Sequence, residues 1–357
     1  MSVINLRRFD WPLNFSVLFL LSVGLLSLLS ANQSLFYKQF LFLVIGLIFI
    51  FTIIRFDWRP FINHKGIILA IYFSVVLLLV ATYFFAPVIR GVRGWLPLGP
   101  FQVQTSEFAK IALIIILAGF FSRKHIGIAR ISNLLASFIY FAIPGFLIIL
   151  QPDLGSALIL FFIWFGFLLV SGIYWRHLAV FSLIFLIAGA VMWTSFLKDY
   201  QKERILGLFS PERDPLGVNY SVIQAKIAIG SAGFFGKGFG QGTQTQLGFL
   251  PEAQTDFIFS AIIEEFGLIA GFLAIAAFTV LIFRIIKIGF GSDNNFSRFF
   301  CLGTSILFCA QFVLNVGSNL GLTPVIGVTF PFLSYGGSSL LTNLILVGII
   351  QSIALKR

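Results

Sequence analysis

The chain has 357 residues, 59% of them hydrophobic and 10% charged, with a mean hydropathy of +1.01. A soluble domain carries roughly 25% charged residues, so this chain cannot build the polar shell of a water-soluble globule and reads as an integral membrane protein. Its 24 Lys and Arg against 13 Asp and Glu lie between apolar runs and form no basic domain; no nucleic-acid partner is expected, and anionic membrane lipid or an anionic lipid-linked substrate accounts for the surplus.

A membrane-crossing helix needs about 20 mostly apolar residues. In chain order the windows that qualify are 14–31, 38–54, 66–86, 107–121, 133–150, 153–171, 177–196, 256–283, 299–320 and 336–354. They predict an all-α, polytopic bundle of ten transmembrane helices in a single domain covering residues 1–357. The fourth is short and the eighth long enough to tilt. The first follows Arg7 and Arg8 without a small-residue cleavage site, so it is read as a retained span. Cys301 and Cys309 share one apolar run, which gives neither a disulfide framework nor metal-ligand spacing. Counting Lys and Arg by segment puts 14 of the 24 on the side of the N-terminus, which predicts cytoplasmic termini.

The segment from about 197 to 255 is the long extracytoplasmic loop. It carries Pro211, Asp214-Pro215 and a Gly-rich stretch from Gly230 to Gly248. Residues 219–229 have helical spacing and predict a short interfacial helix.

Ionisable groups inside spans cost roughly 2.5–3.5 kcal/mol each on insertion scales, so each is a functional candidate. Glu107 and Lys110 open the fourth span on one helix face and can pair, with Lys110 able in addition to meet an anionic ligand. Asp153, after Gln151-Pro152, fits a helix cap and also a site wall. Asp256, Ser260 and Glu264 fall at i, i+4 and i+8, a stripe carrying polarity about 12 Å into the membrane; Glu265 adds a second deep carboxylate. Gln311, Asn315 and Asn319 repeat the pattern in the ninth span and suggest interhelical hydrogen bonds. The following stretch from Gly321 to Gly337, with two prolines and no charge, reads as irregular backbone buried in protein or lining a cavity. Arg90 and Arg93, beside Trp95, fit an interfacial anchor or a phosphate clamp. Together these features describe a polar cavity in the outer half of a bundle. They fit an enzyme acting on a lipid-linked substrate and a transporter equally.

Several long motifs then stand in order: GVRGWLPLG (91–99), QTSEFAK (104–110), QPDLGSA (151–157), the run from Asp214 to Ile269 containing GTQTQLGFLPEAQTDFIFS, and NVGSNLGLTP through PFLSYGGSS (315–339). Along nearly its whole length the chain resembles the SEDS family (shape, elongation, division, sporulation), and GTQTQLGFLPE is closer to the family's elongation branch than to its division branch. Gln254 stands where the family commonly has His.

The resemblance implies a peptidoglycan glycosyltransferase in the bacterial inner membrane, its active site facing the periplasm. Such an enzyme polymerises lipid II during cell elongation beside a class B penicillin-binding protein. A lipid II flippase and a non-catalytic scaffold for such a protein are the alternatives. The family's essential Asp falls on Asp256, its Glu/Lys pair on Glu107 and Lys110, and its QPD aspartate on Asp153. On this reading Asp256 is the general base. Arg93, Lys110, Arg204, Lys226 or Lys237 would neutralise the pyrophosphate, alone or with a divalent cation (Mg²⁺ or Mn²⁺). Glu107, Asp153 and Glu264 join the substrate-binding set.

Overall fold

The computed structural model describes residues 9–55, 64–89, 91–99, 101–124, 131–197, 199–210, 217 and 219–356. Arg7, Arg8, Arg59, Arg90, Arg130, Lys198, Arg213 and Arg357, and the Pro211 and Asp214-Pro215 turns, lie outside those residues.

Every apolar window falls on a helix. The elements are α1 (Trp11–Ala31), α2 (Gln33–Arg55), α3 (Lys65–Phe85), a hairpin of β1 (Trp95–Leu98) and β2 (Phe101–Gln104), α4 (Thr105–Lys124), α5 (Ile131–Leu150), α6 (Leu154–Val170), α7 (Trp175–Val191), α8 (Asp199–Phe209), α9 (Tyr220–Ser231), α10 (Thr243–Gln246), α11 (Ile258–Phe290), α12 (Asn295–Leu320) and α13 (Gly337–Leu355). Among the described residues nine helices are long and apolar enough to cross a membrane, and α6, with 17 residues, is a shorter apolar tenth. The short helix expected at 219–229 is α9. The surface is apolar where a soluble protein's is not: Leu77, Phe84, Leu186 and Phe272 are largely exposed, which only lipid tolerates over so wide an area. The chain is a multi-pass membrane protein.

α4 and α13 form the centre, with α6 and α12 against them; Leu113, Leu117, Phe121, Trp164, Phe167, Phe308, Leu344 and Ile350 are inaccessible or nearly so. Trp164 satisfies its indole by donating to Ser137 Oγ at 3.2 Å, the partner a buried tryptophan needs. The fourth helix is not short. It runs for 20 residues from Thr105 to Lys124, and the hydropathy window left out Thr105 and Ser106 at its start and Ser122, Arg123 and Lys124 at its end because they are polar. The hairpin before it, pairing Trp95 with Gln104 and Leu98 with Phe101, was not expected; its four-residue strands are too brief for a periodicity signal.

The eighth span departs from expectation more sharply. Rather than tilting as one rod, α11 is broken at Gly267, which has φ 85° and ψ 173°. A break inside a membrane frees backbone groups that must find partners. The Gly-rich stretch supplies them: Lys237 N–H donates to Glu264 O (2.9 Å), Gly238 N–H to Glu265 O (3.0 Å), Leu268 N–H to Gly233 O (3.1 Å) and Ile269 N–H to Phe234 O (3.3 Å). The crossing needs glycine twice over, since a Cβ on Gly267 would sit 2.1 Å from Phe234 O. Gly267→Ala is therefore expected to destabilise by at least about 1–3 kcal/mol from backbone conformation alone. A lower melting temperature in detergent checks this, and parental melting would mean that the break is not required.

The 321–336 segment is irregular, as its composition predicts, and threads through the protein interior. Gly321 caps α12 with φ 70°. Gly155 and Gly24 let the backbone pass closely, a Cβ there meeting Ile326 O at 2.3 Å and Leu333 O at 2.5 Å respectively. Gln39 braces the far end, donating to Ser334 O (3.3 Å) and accepting from Gly336 N–H (3.2 Å).

Candidate active site

A cavity of about 1310 Å³ opens where α5, α6 and α7 face the hairpin, α8, the turn before α11 and the 321–336 segment. Ordinary small-molecule pockets hold roughly 300–1,000 Å³, so this one suits a bulky ligand. Its two sides differ. The α5–α7 wall is aromatic, with Phe138, Phe141, Phe146, Phe161 and Phe185; the facing elements carry the polar groups Gln104, Glu252, Asp256, Thr329 and Ser338 among the aromatics Trp95, Phe101 and Tyr335, and Asp153 lies at the start of α6. Lys38 and Arg204 also line it. Such a chamber matches an amphiphile with a long apolar part and an anionic, hydroxyl-rich head.

Asp256 reaches this chamber, but not from a helix. It lies in a turn, Pro251 to Phe257, and α11 starts only at Ile258. The expected stripe of Asp256, Ser260 and Glu264 consequently does not form. Ser260 is wholly buried and donates from Oγ to Asn319 Oδ1 at 2.6 Å. Glu264, also wholly buried, accepts from Gln244 N–H (2.8 Å), Thr245 N–H (3.0 Å), Thr245 Oγ1 (2.8 Å) and Lys237 Nζ (3.0 Å). Glu265 accepts from Ser30 Oγ at 2.6 Å and Gln246 Nε2 at 2.8 Å. These two carboxylates anchor the Gly-rich stretch over the helix break. Only Asp256 of the three expected stripe residues lines the cavity.

Three consecutive carbonyls fix the turn that carries it. Gln254 O accepts from Tyr335 N–H at 2.8 Å, Thr255 O from Ser334 Oγ at 2.7 Å, and Asp256 O from both Asn315 Nδ2 and Asn319 Nδ2 at 2.9 Å. The polar stripe of α12 does hydrogen-bond across elements, as its spacing suggests; the recipient is the peptide of Asp256. Tyr335 itself lines the cavity, and burial pushes its phenol above the ordinary value, so it stays a neutral hydroxyl.

Asp153 fills both roles open to it. Its Oδ1 accepts from Ser156 N–H at 3.0 Å and caps α6, while Oδ2 accepts from Gln104 Nε2 and Ser106 Oγ, both at 3.4 Å; it also lines the cavity. The other expected residues lie elsewhere. Glu107 and Lys110 form a buried ion pair at 2.6 Å, to which Thr342 Oγ1 adds a bond at 3.4 Å. Lys237 holds Glu264. Lys226 is exposed on α9 against Gly321. Arg93 is exposed, its N–H donating to Gln151 O at 3.2 Å. None of these six is among the described residues lining the cavity.

Lys38 and Glu252 were not singled out from sequence. Lys38 stands at the edge of an apolar window, where a lysine is expected to reach the membrane surface; its presence in the cavity wall depends on how α2 packs. Glu252 lay in plain view in PEAQTD. It has φ 52°, and its carboxylate accepts from Thr255 Oγ1 at 3.0 Å.

Residues 8–357 match the family model described as cell cycle protein, FtsW/RodA/SpoVE. The chain is 36% identical to peptidoglycan glycosyltransferase MrdB of Escherichia coli K12 over 84% of this chain and 78% of that protein. It is also 36% identical to stage V sporulation protein E of Bacillus subtilis strain 168, over 97% of this chain and 96% of that one. A solved chain from a peptidoglycan synthase complex, described for the structural coordination of polymerization and crosslinking, superposes with a TM-score of 0.82 at 33% identity, covering 97% of each chain. By sequence along its whole length and by fold, the chain belongs to the FtsW/RodA/SpoVE family of cell cycle proteins, the SEDS family its motifs resemble.

Proposed function

We propose that the chain is a peptidoglycan glycosyltransferase that polymerises lipid II, with Asp256 as general base. The observation that carries this is that Asp256 lines a large chamber with an aromatic wall on α5–α7 and several polar groups facing it. Family relatives named peptidoglycan glycosyltransferase support the reaction class.

The acceptor's 4-hydroxyl attacks the anomeric carbon of the donor sugar. Asp256 takes the hydroxyl proton, a new C–O bond forms, and undecaprenyl pyrophosphate leaves with the electron pair of the old bond. Lys38 and Arg204 supply positive charge for that leaving group. A single base with no covalent intermediate gives inversion at the anomeric carbon. The aromatic side receives the first units of the polyprenyl chain, and Asp153, Gln104 and Ser338 face the sugars. Among the described residues no three His, Cys, Asp or Glu side chains converge as a metal site; a divalent cation bridging the pyrophosphate would have to be held by one or two carboxylates of the chamber wall and the phosphates themselves.

The chamber faces the periplasm. Arg55, Lys65, Arg123, Lys124, Arg176, Lys287, Arg298 and Lys356 all fall at helix ends opposite the chamber, and positive charge of that kind marks the cytoplasmic side. A class B penicillin-binding protein is the partner, by analogy with the synthase complex that supplies a similar chain.

Full-length protein reconstituted with such a partner, and given lipid II in the outer leaflet, is expected to release a ladder of glycan strands. Transfer of lipid II across the bilayer with no polymer would make the chain a transporter instead.

A further inference from the structure

We infer that Asn315 and Asn319 are positioning residues that aim the Asp256 carboxylate; this rests on Asp256 being the base. Asp256 sits on irregular backbone, where no helical ladder holds the Cα–Cβ direction. Its carbonyl accepts two carboxamide donors at 2.9 Å, which occupies both lone pairs.

Each donor is itself fixed. Asn315 Nδ2 also donates to Val328 O at 2.8 Å, tying Asp256 to the irregular segment on the opposite side. Asn319 Nδ2 donates a second time to Asn315 O at 2.8 Å. Its Oδ1 accepts from Ser260 N–H at 3.0 Å and Ser260 Oγ at 2.6 Å. Both donors and both lone pairs of that carboxamide are therefore engaged, which leaves it a single orientation.

The Ser260 bond matters further. Phe257, the residue preceding α11, makes no side-chain capping bond, and Asn319 performs that service from another helix. One buried side chain thus sets the start of α11 and the peptide of Asp256 together. Asn315 and Asn319 are 1% and 0% exposed. Apolar residues would pack such positions without the cost of burying polar groups. Holding one peptide carbonyl from two successive turns of α12 gives that burial a purpose: the backbone from which the reacting carboxylate projects is held in one place.

The test uses full-length protein with its partner, measuring lipid II binding stoichiometry and the single-turnover rate per bound lipid II. Asn319→Asp keeps the oxygen that caps Ser260 but removes both N–H donors; Asn315→Ser shortens the other arm. Each variant is expected to bind lipid II with parental stoichiometry and affinity, and to turn over on the order of 10²-fold more slowly, the consequence of misplacing a reacting group by about 1 Å. A merely structural role lowers the bound fraction and leaves the rate per bound lipid II unchanged, and that result overturns the inference. So does failure of both variants to fold, or loss of binding at parental melting temperature, which would put the carboxamides in substrate contact. Parental turnover by Asp256→Asn would refute a different claim, the base assignment itself.

Discussion

Asp256→Asn is expected to bind lipid II and release almost no polymer. The substitution keeps shape and volume, and its backbone carbonyl still receives Asn315 and Asn319 at the observed 2.9 Å, so the turn and the cavity persist. What disappears is the ability to take a proton from the acceptor hydroxyl. A positioned general base contributes typically 10²–10⁴-fold, and turnover should fall by that factor while binding changes little. Polymerisation of lipid II by the purified complex, followed on gels, reads the first quantity; lipid II binding to detergent-solubilised protein reads the second. Polymer at the parental rate would show that another group accepts the proton, with Glu252 and Asp153 next in line because both share the chamber wall. A variant that loses binding as strongly as turnover would make Asp256 a substrate ligand and not a base.

The second large effect concerns stability. Glu107 and Lys110 meet at 2.6 Å with side chains only 6% and 5% exposed, in a helix at the centre of the bundle. Removing one member leaves the other charge buried without compensation, at a cost of about 3–5 kcal/mol. Lys110→Met therefore strands a carboxylate whose remaining bond is a long one from Thr342 Oγ1, and Glu107→Gln strands an ammonium. The double variant Glu107→Gln/Lys110→Met should recover most of the loss, because no charge is then buried alone. Thermal unfolding of all four proteins in one detergent gives the cycle. Equal melting of the parent and both single variants would show that water reaches the pair. A double variant as unstable as the two single losses added would show that each residue acts independently of the other. Because α4 carries Ser106, which donates to the cavity-lining Asp153, single variants are also expected to lose turnover in proportion to their lost folded fraction.

The difference between what was legible and what was not follows from range. Whether a stretch can live in lipid depends on its own residues, so hydropathy found all ten apolar helices and fell short chiefly at polar helix ends such as both ends of α4. Capping is local as well, and Asp153 could be assigned to the start of α6 from three neighbouring residues. The i, i+4 spacing of Asn315 and Asn319 was visible for the same reason. Their recipient was not, since it lies 59 and 63 residues away along the chain. Spacing misled at Asp256, Ser260 and Glu264 because it assumes one continuous helix. The turn ends before Ile258 and the rod breaks at Gly267, where a distant Gly-rich stretch competes successfully for the backbone groups.

From residue composition and order alone came the membrane setting, the number of apolar helices and the family. Only tertiary packing decided which charges face the chamber and which bind each other: Asp256 and Asp153 line it with Lys38, Arg204 and Glu252, while Glu107 pairs with Lys110 and Glu264 with Lys237. The reason is energetic. A charge in a low-dielectric interior must be satisfied by something, and a helix face specifies only that need, whereas the partner is set by which backbone or side chain the folded bundle brings within about 3 Å.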